Sequence, residues 1–566
     1  MSTTLNGIGV SAGFATGPAA RLGSAPVLPP YEPSVADVAA EQVLAAQALD
    51  AVAAELERRA AAAGGTAADV LVATSLIARD PALAESVREL IDAGRAAAWA
   101  VTDAFAAYRE ILAAAGGYLA ERAADLDDVR ARVVAVLVGV PMPGVPRLAH
   151  PYILVADDLS PADTATLDPA TVLALVTVGG GVTSHTAILA KSLGIPAVVG
   201  CSGAAELADG DQIAVDGTAG TVIAAPDAAD LDAARQRAEQ RAARLASSHG
   251  PGRTADGHRI GLLVNAGGAA DVAQVAAVEA EGVGLLRTEF LFLDRRTAPT
   301  FAEQEEAYNE VFQRLGHGKI IIRTLDAGAD KPLPFASLGD EPNPALGIRG
   351  LRTSWRYPEL LDTQLEALAR AAKECHVEAW VMAPMVATAA EARAFTELAR
   401  SHGLTRAGAM VEIPAAALAA EQILDAVDFV SIGTNDLSQY TFAADRQSGT
   451  LAPLLDPWQP PLLRLIELTT RAATAAGKPV GVCGEAAGDP LLAPVLAGLG
   501  VTSLSMAASC VADVRQMLAG WTLERCRAAA RAALAAPDPA AARAAVAASS
   551  PLPPSTAAEA AGQTRP

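Results

Sequence analysis

The chain has 566 residues and a net charge of −21, with no basic block. That length is too great for one hydrophobic core and implies two to four domains, and the negative charge argues against nucleic acid or an anionic membrane as a partner. Five cysteines, Cys201, Cys375, Cys483, Cys510 and Cys526, stand apart without CxxC pairing, so neither a disulfide framework nor a zinc site is expected and a reducing cytoplasm fits.

No Lys or Arg precedes Arg21 and no apolar core follows Met1, so no secretory signal is read. Two windows lack charge, Pro169–Ala190 and Leu491–Ala512. Their glycines, His185 and Pro494 make them strand and turn rather than membrane insertions. Residues 5–22 mix apolar and small residues with glycines, as a strand and turn do. From 35 to 138 the pattern becomes helical, with Leu44, Ala48, Val52 and Leu56 repeating every four residues and Asp80-Pro81 reading as a break. Strand signals return at Tyr152–Val155, Val172–Val178, Ala197–Val199, Ile213–Val215 and Thr221–Ala224. A helical bundle (35–138) is therefore inserted into a small α/β domain built from 1–34 and 139–226. Such an insert is either a packing elaboration or a docking surface.

Within that α/β domain the apolar run Val172–Val178 meets Gly179-Gly180-Gly181-Val182-Thr183-Ser184-His185, then an Ala-Ile-Leu-Ala helix. A helix N-terminus behind glycines favours anions, and a neutral imidazole nitrogen is available as a nucleophile near pH 7. Taken alone, the pattern is equally a capping Thr183 or Ser184 beside a bystander histidine. Residues 227–255 form a solvated linker helix ending in His249-Gly250-Pro251-Gly252.

From 256 to 535, eight strand-like runs alternate with helical ones: Ile260–Asn265, Gly282–Leu286, Ile320–Leu325, Ala379–Met385, Ala407–Val411, Phe429–Ile432, Val480–Val482 and Ser503–Met506. Eight such alternations predict a (β/α)8 TIM-type barrel, so the whole is a multidomain α/β protein. The Ala/Pro-rich segment 536–566 is expected to be a frayed tail. In a barrel of this kind, residues at the C-terminal strand ends converge on one mouth. Here they are Arg287 and Glu289, Arg323 and Asp326, Glu412, Asn435 and Asp436, and Cys483 and Glu485. Arginine forks grip phosphate and carboxylate oxygens, Glu412 and Asp436 suit Mg2+, and a protonated thiol at Cys483 can give a proton to carbon. Singly, a strand-end arginine is more often a structural ion pair, an Asn-Asp a turn and a cysteine a small apolar filler. Five strand ends with complementary roles reverse those odds.

Residues 180–200, GGVTSHTAILAKSLGIPAVVG, resemble the phosphohistidine loop of enzymes that move phosphate between phosphoenolpyruvate and pyruvate. With GVGLLRTEFLF (282–292), RTLDAGADK (323–331), NPALGIR (343–349), SIGTNDLSQY (431–440), CGE (483–485) and YLAERAADL (118–126), the chain from about 5 to 535 resembles Enzyme I of the bacterial phosphoenolpyruvate-dependent sugar phosphotransferase system. The resemblance implies a swivelling phosphohistidine domain in which His185 accepts phosphate on Nε2. It also implies phosphoenolpyruvate binding by Arg287, Arg323 and Arg446 with Asn435 and Asp436 at the phosphate, and further contacts from Arg349 and Lys331. Glu412 and Asp436 would bind Mg2+, and Cys483 would protonate enolpyruvate. The bundle would dock the carrier protein HPr and the barrel would form a homodimer. Isoleucine at 413 and alanine at 329 stand where the family has threonine and glycine, and the docking helices over Ala73–Val87 are poorer in acidic residues.

A swing of the histidine domain about linkers near 226–255 would serve both partners. A dikinase or phosphoenolpyruvate synthase relative needs a nucleotide domain, and no Gly-rich nucleotide loop is read here. A non-enzymatic phosphocarrier scaffold would have no use for the arginine and carboxylate set.

Overall fold

The computed structural model describes all residues except 1, 24–25, 27, 29–34, 36, 63–65, 116–122, 141, 147, 160–162, 164–166, 181–185, 188–189, 191–192, 293–294, 317, 329–332, 337–340, 447–448 and 551–566. Two compact units divide the chain at Ala238 and Glu239. In the first, Thr3–Asn6 (β1), Ile8–Ser11 (β2), Phe14–Arg21 (β3), Tyr152–Ala156 (β4), Val172–Thr177 (β5), Ala197–Val199 (β6), Gln212–Asp216 (β7) and Thr221–Ala224 (β8) form one sheet in the order β1-β8-β7-β3-β4-β5-β6-β2. The centre, β3 to β6, is parallel. Its strands read YILVA and VLALVT without alternation because both faces are covered.

β3 pairs directly with β4, Ala19 opposite Ile153, although the helical block lies between them in sequence, as an insertion requires. Among the described residues that block contains helices Val38–Ala62, Thr66–Ala78, Pro81–Asp92, Ala97–Ala115 and Ala123–Val138. They enclose a core that includes Val52, Leu56, Leu71, Ile91, Phe105 and Val133. The helix break falls at Asp80-Pro81: the Asp80 carboxylate accepts from the Ala82 and Leu83 backbone N–H groups at 2.8 and 3.0 Å, and Pro81 occupies the first turn, where its missing donor costs nothing. Leu44, the first member of the four-residue series, is exposed beside Val43, whereas Ala48, Val52 and Leu56 are buried.

In the second unit Gly261–Ala266 (β9), Gly282–Arg287 (β10), Lys319–Arg323 (β11), Ala379–Ala383 (β12), Arg406–Val411 (β13), Phe429–Ile432 (β14), Val480–Val482 (β15) and Ser503–Met506 (β16) close into a parallel barrel. The predicted eight-strand barrel forms. β11 and β12 end two residues earlier than the apolar runs suggest, which puts Asp326 and Met385 in the loops at the mouth. One set of side chains faces outward into the main core, among them Val264, Ile322, Val411, Ile432 and Val482. The alternate set faces inward, where Leu285, Ile321, Met382, Met410, Phe429 and Cys483 pack together.

Helices Phe301–Leu315 and Ala389–Ser401 begin in capping boxes at Thr300/Glu303 and Thr388/Glu391, which satisfy first-turn N–H groups and fix where each helix starts. The start of the Ala/Pro-rich segment is ordered, contrary to a frayed tail. Pro539–Ala547 is a helix capped by Asp538, with Ala542 and Val546 fully buried and the Arg543 guanidinium 5.3 Å from the Trp458 ring. Two apolar residues four apart suffice to seat a single short helix, a pattern too brief to stand out from an alanine-rich background. Among the described residues no helix is long and apolar enough to cross a membrane.

Candidate active site

The C-terminal ends of the barrel strands gather the predicted side chains of the second unit. Arg323, the last residue of β11, is buried. Its Nη2 lies 2.8 Å from Glu289 Oε1, just beyond β10, and its Nη1 lies 3.3 Å from Asp326 Oδ2. Asp326 also receives Arg349, whose Nε and Nη2 donate to its two carboxylate oxygens at 3.2 Å each. Arg349 is delivered to the mouth by a bridge to Gly328, and its Nη1 reaches Asp436 Oδ1 at 3.1 Å. Asp436 stands in the first turn of the helix Thr434–Phe442, which starts directly after β14, and its Oδ2 lies 3.5 Å from Arg446 Nη1. Arginine and carboxylate thus alternate along one chain of contacts, Glu289–Arg323–Asp326–Arg349–Asp436–Arg446. Arg287 ends β10 and is exposed, and among the described residues no carboxylate pairs with it.

Glu412 follows β13 and is fully buried. One carboxylate oxygen accepts the Met385 N–H at 2.7 Å, from a residue held at a left-handed φ of 56°. The other, Oε2, accepts no hydrogen bond among the described residues. Burial, then the charges of Asp436 and Asp326, push the Glu412 carboxyl up to about 8, against the pull of Arg323. An ionised carboxylate in such a place calls for a cation. Gly433 keeps the space beside it open, because a Cβ there would come within 2.7 Å of Oε2. Among the described residues no three His, Cys, Asp or Glu side chains gather as a metal cluster. Two carboxylates with room beside them fit a hard cation that keeps water and substrate oxygens as its remaining ligands.

Asn435 accepts the Glu485 N–H at 3.0 Å, which ties the helix after β14 to the loop after β15. In that loop Cys483 is buried, and burial pushes its thiol up to about 11. It is therefore a protonated thiol at neutral pH. Arg323 remains charged: burial, which lowers its pKa, is outweighed by Glu289, Asp326, Glu412 and Asp436. His185 and Lys331 lie outside the described residues.

Several site residues carry no signal in the sequence. Gln364, buried on the helix Pro358–Glu374, accepts the Leu325 N–H at 2.9 Å and donates to Thr288 and Tyr308, fixing the loop that presents Arg323 and Asp326. Tyr440 accepts from Arg349 Nη1 at 3.3 Å and donates to the Ala345 carbonyl, locking the 343–349 segment onto the helix after β14. Tyr440 lies eight residues after Ile432 within the SIGTNDLSQY stretch, but only the three-dimensional closure shows what it holds.

Three family descriptions tile the chain: "PEP-utilising enzyme, N-terminal" over 6–122, "PEP-utilising enzyme, mobile domain" over 148–220 and "PEP-utilising enzyme, PEP-binding domain" over 241–523. A protein of Streptomyces coelicolor named phosphoenolpyruvate-protein phosphotransferase is 55% identical over 95% of this chain and 97% of its own. The chain belongs to the phosphoenolpyruvate-protein phosphotransferases. Relatives of the same name from Haloferax volcanii (42% identical, 82% of this chain and 84% of its own) and Bacillus subtilis (39%, 91% and 94%) extend the match. This phosphotransferase is accordingly an enzyme, and the barrel described above is its phosphoenolpyruvate-binding part.

Proposed function

We propose that the barrel mouth binds phosphoenolpyruvate with Mg2+, that His185 accepts its phosphoryl group, and that the carrier protein HPr receives it in the first step of sugar phosphotransfer. The observation that carries the binding reading is the unpartnered Oε2 of Glu412, buried beside Asp436 and flanked by the arginine chain. The guanidinium forks of Arg287, Arg323, Arg349 and Arg446 bind the phosphate and carboxylate oxygens. Asn435, Asp436 and Lys331 complete the shell. Glu412 and Asp436 are the residues that hold the cation. When bound, Mg2+ supplies divalent positive charge to the substrate's oxygens.

In the transfer, the Nε2 lone pair of His185 forms the P–N bond as the bond from phosphorus to the enol oxygen breaks. The arginines stabilise the charge that spreads over the phosphoryl oxygens. The enolate left behind takes the Cys483 proton at C3, its double-bond pair forming the new C–H bond, and pyruvate results. Cys483 keeps the S–H electron pair and recovers a proton from solvent. A thiol held near pKa 11 is loaded as an acid across the neutral range.

The bundle docks HPr: Val72 and Leu76 leave apolar surface exposed on the helix Thr66–Ala78, which supports contact through packing more than through charge. Exposed Leu346, Trp355 and Leu418 on the barrel support a homodimer through that unit. The free state of all five cysteines supports a reducing cytoplasm. The test is pyruvate release from phosphoenolpyruvate with and without Mg2+. Glu412→Gln is expected to lose the metal-dependent rate by roughly a hundredfold or more, and an unchanged metal dependence in that variant would reject the cation site.

A further inference from the structure

The barrel interior is divided chemically. Its inward side chains on β11, β12 and β13 are Ile321, Met382 and Met410, whereas Asn265 on β9, Ser505 on β16 and Cys483 just after β15 bring polar groups together. Ser505 is buried, and a buried hydroxyl destabilises a core unless it is bonded. Its Oγ donates to Asn265 Oδ1 at 2.6 Å, and Asn265 Nδ2 donates to the Cys483 carbonyl at 3.1 Å. A carbonyl can only accept, so this is the one orientation of the amide in which both bonds are made. The bridge crosses three neighbouring strands, from β9 past β16 to the end of β15. Glycine on β10 leaves room for it, because a Cβ on Gly284 would fall 2.5 Å from Ser505 Oγ.

From the β14 side the same turn is held as closely. The Cys483 N–H donates to the Ile432 carbonyl at 3.1 Å, and the Glu485 N–H to Asn435 Oδ1 at 3.0 Å. Gly484 lies against the start of the helix Thr434–Phe442, where a Cβ would come within 2.0 Å of Thr434 Oγ1. Asn265 adds the hold on the Cys483 carbonyl from the β9 side. The thiol itself rests on the Ile432 carbonyl, 3.6 Å from Sγ. To give its proton to carbon it must leave that acceptor by rotation about Cα–Cβ, so the backbone that carries the side chain sets where the proton arrives.

We propose that Asn265 is a positioning residue of the proton-transfer step: its amide, oriented by Ser505, holds the Cys483 carbonyl so that the thiol swings onto C3 of the enolate. This inference rests on the reading of Cys483 as the proton donor. C3 gains the S–H proton, the sulfur keeps the bonding pair, and Asn265 neither gives nor takes a proton. Its contribution is orientation, which counts heavily when a reacting atom must arrive within bonding reach of carbon.

The test uses the full-length protein with pyruvate, Mg2+ and inorganic phosphate in D2O. Exchange of the pyruvate methyl hydrogens, followed by proton NMR, reads the Cys483 step without phosphoryl transfer. Asn265→Asp separates the two bonds: the carboxylate still accepts from Ser505 Oγ but has no donor for the Cys483 carbonyl. Exchange slows roughly ten- to a hundredfold in that variant, and Asn265→Ala, which buries no charge, is slowed alike. The KM for phosphoenolpyruvate is unchanged in both, and neither substitution adds a further loss in a Cys483→Ala background. If Cys483→Ala itself exchanges normally, the proton-donor reading falls and this inference with it. If Cys483→Ala abolishes exchange but Asn265→Asp exchanges at the wild-type rate, Asn265 serves only Ser505 and its positioning role is overturned. A KM that rises in step with the loss of exchange overturns that role as well, because the damage would then extend to the whole mouth.

Discussion

At the scale of single residues, Asp326 holds the site's geometry. Its carboxylate lies between Arg323 and Arg349 and is almost wholly buried. Replacing it with Ala leaves two buried guanidinium groups short of a partner, and breaking such a pair costs about 3–5 kcal/mol. Asp326→Ala is therefore expected to lower the denaturation midpoint of the barrel as well as weaken phosphoenolpyruvate binding. A variant that loses binding at full stability would show that the residue touches substrate and holds nothing in place. The Cys483 thiol gives a second residue-scale expectation. Only the thiolate reacts with iodoacetamide, and burial holds this group near 11. Its modification, located by peptide mass spectrometry, should be slow at pH 7 and keep rising until about pH 11; saturation near pH 8 would mean that the interior does not shield it.

These residues were unequally legible in the sequence. Arg287, Arg323, Glu412, Asp436 and Cys483 could be placed because each sits at the end of an apolar run, where barrel geometry dictates the direction. Gln364, Tyr440 and Asn265 could not, because each acts through a backbone or side chain distant in the chain: Gln364 through Leu325, Tyr440 through Ala345, Asn265 through Cys483. Hydrogen bonds of that kind leave no spacing to read.

At the scale of elements, the eight barrel strands emerged from their apolar runs because a parallel barrel buries both faces of each strand and so suppresses alternation. The runs overshot at β11 and β12, since Leu325 and Met385 are buried loop residues that continue the apolar pattern past the last ladder pair. The helix Pro539–Ala547 leaves little mark on the sequence for the opposite reason, its buried face being only Ala542 and Val546. That face still contributes. Deleting everything after Pro537 removes those two residues and the Arg543 guanidinium over the Trp458 ring, and burial of that order stabilises by about 2–3 kcal/mol. The deletion should lower the thermal transition of the barrel by several degrees, roughly as such a loss shifts a domain of this size. An unchanged transition in calorimetry would mean that the helix adds nothing to the barrel.

At the scale of the whole molecule, the chemistry is divided between two compact units, the division along the chain falling within the helix Ala228–Ala246. The first unit carries the His185 segment and the bundle, and the second carries the arginines, the carboxylates and the thiol. In the proposed reaction a single phosphoryl group passes from the barrel mouth to an imidazole and on to a carrier protein. The most direct measurement is to incubate the full-length protein with phosphoenolpyruvate labelled in its phosphate, Mg2+ and purified HPr, and to locate the label by mass spectrometry over time. The expected result is an acid-labile phosphate on His185 first and on an HPr histidine afterwards, with one pyruvate released for each label and no labelling in His185→Ala. Label on any other residue, or labelling that persists in His185→Ala, would contradict it.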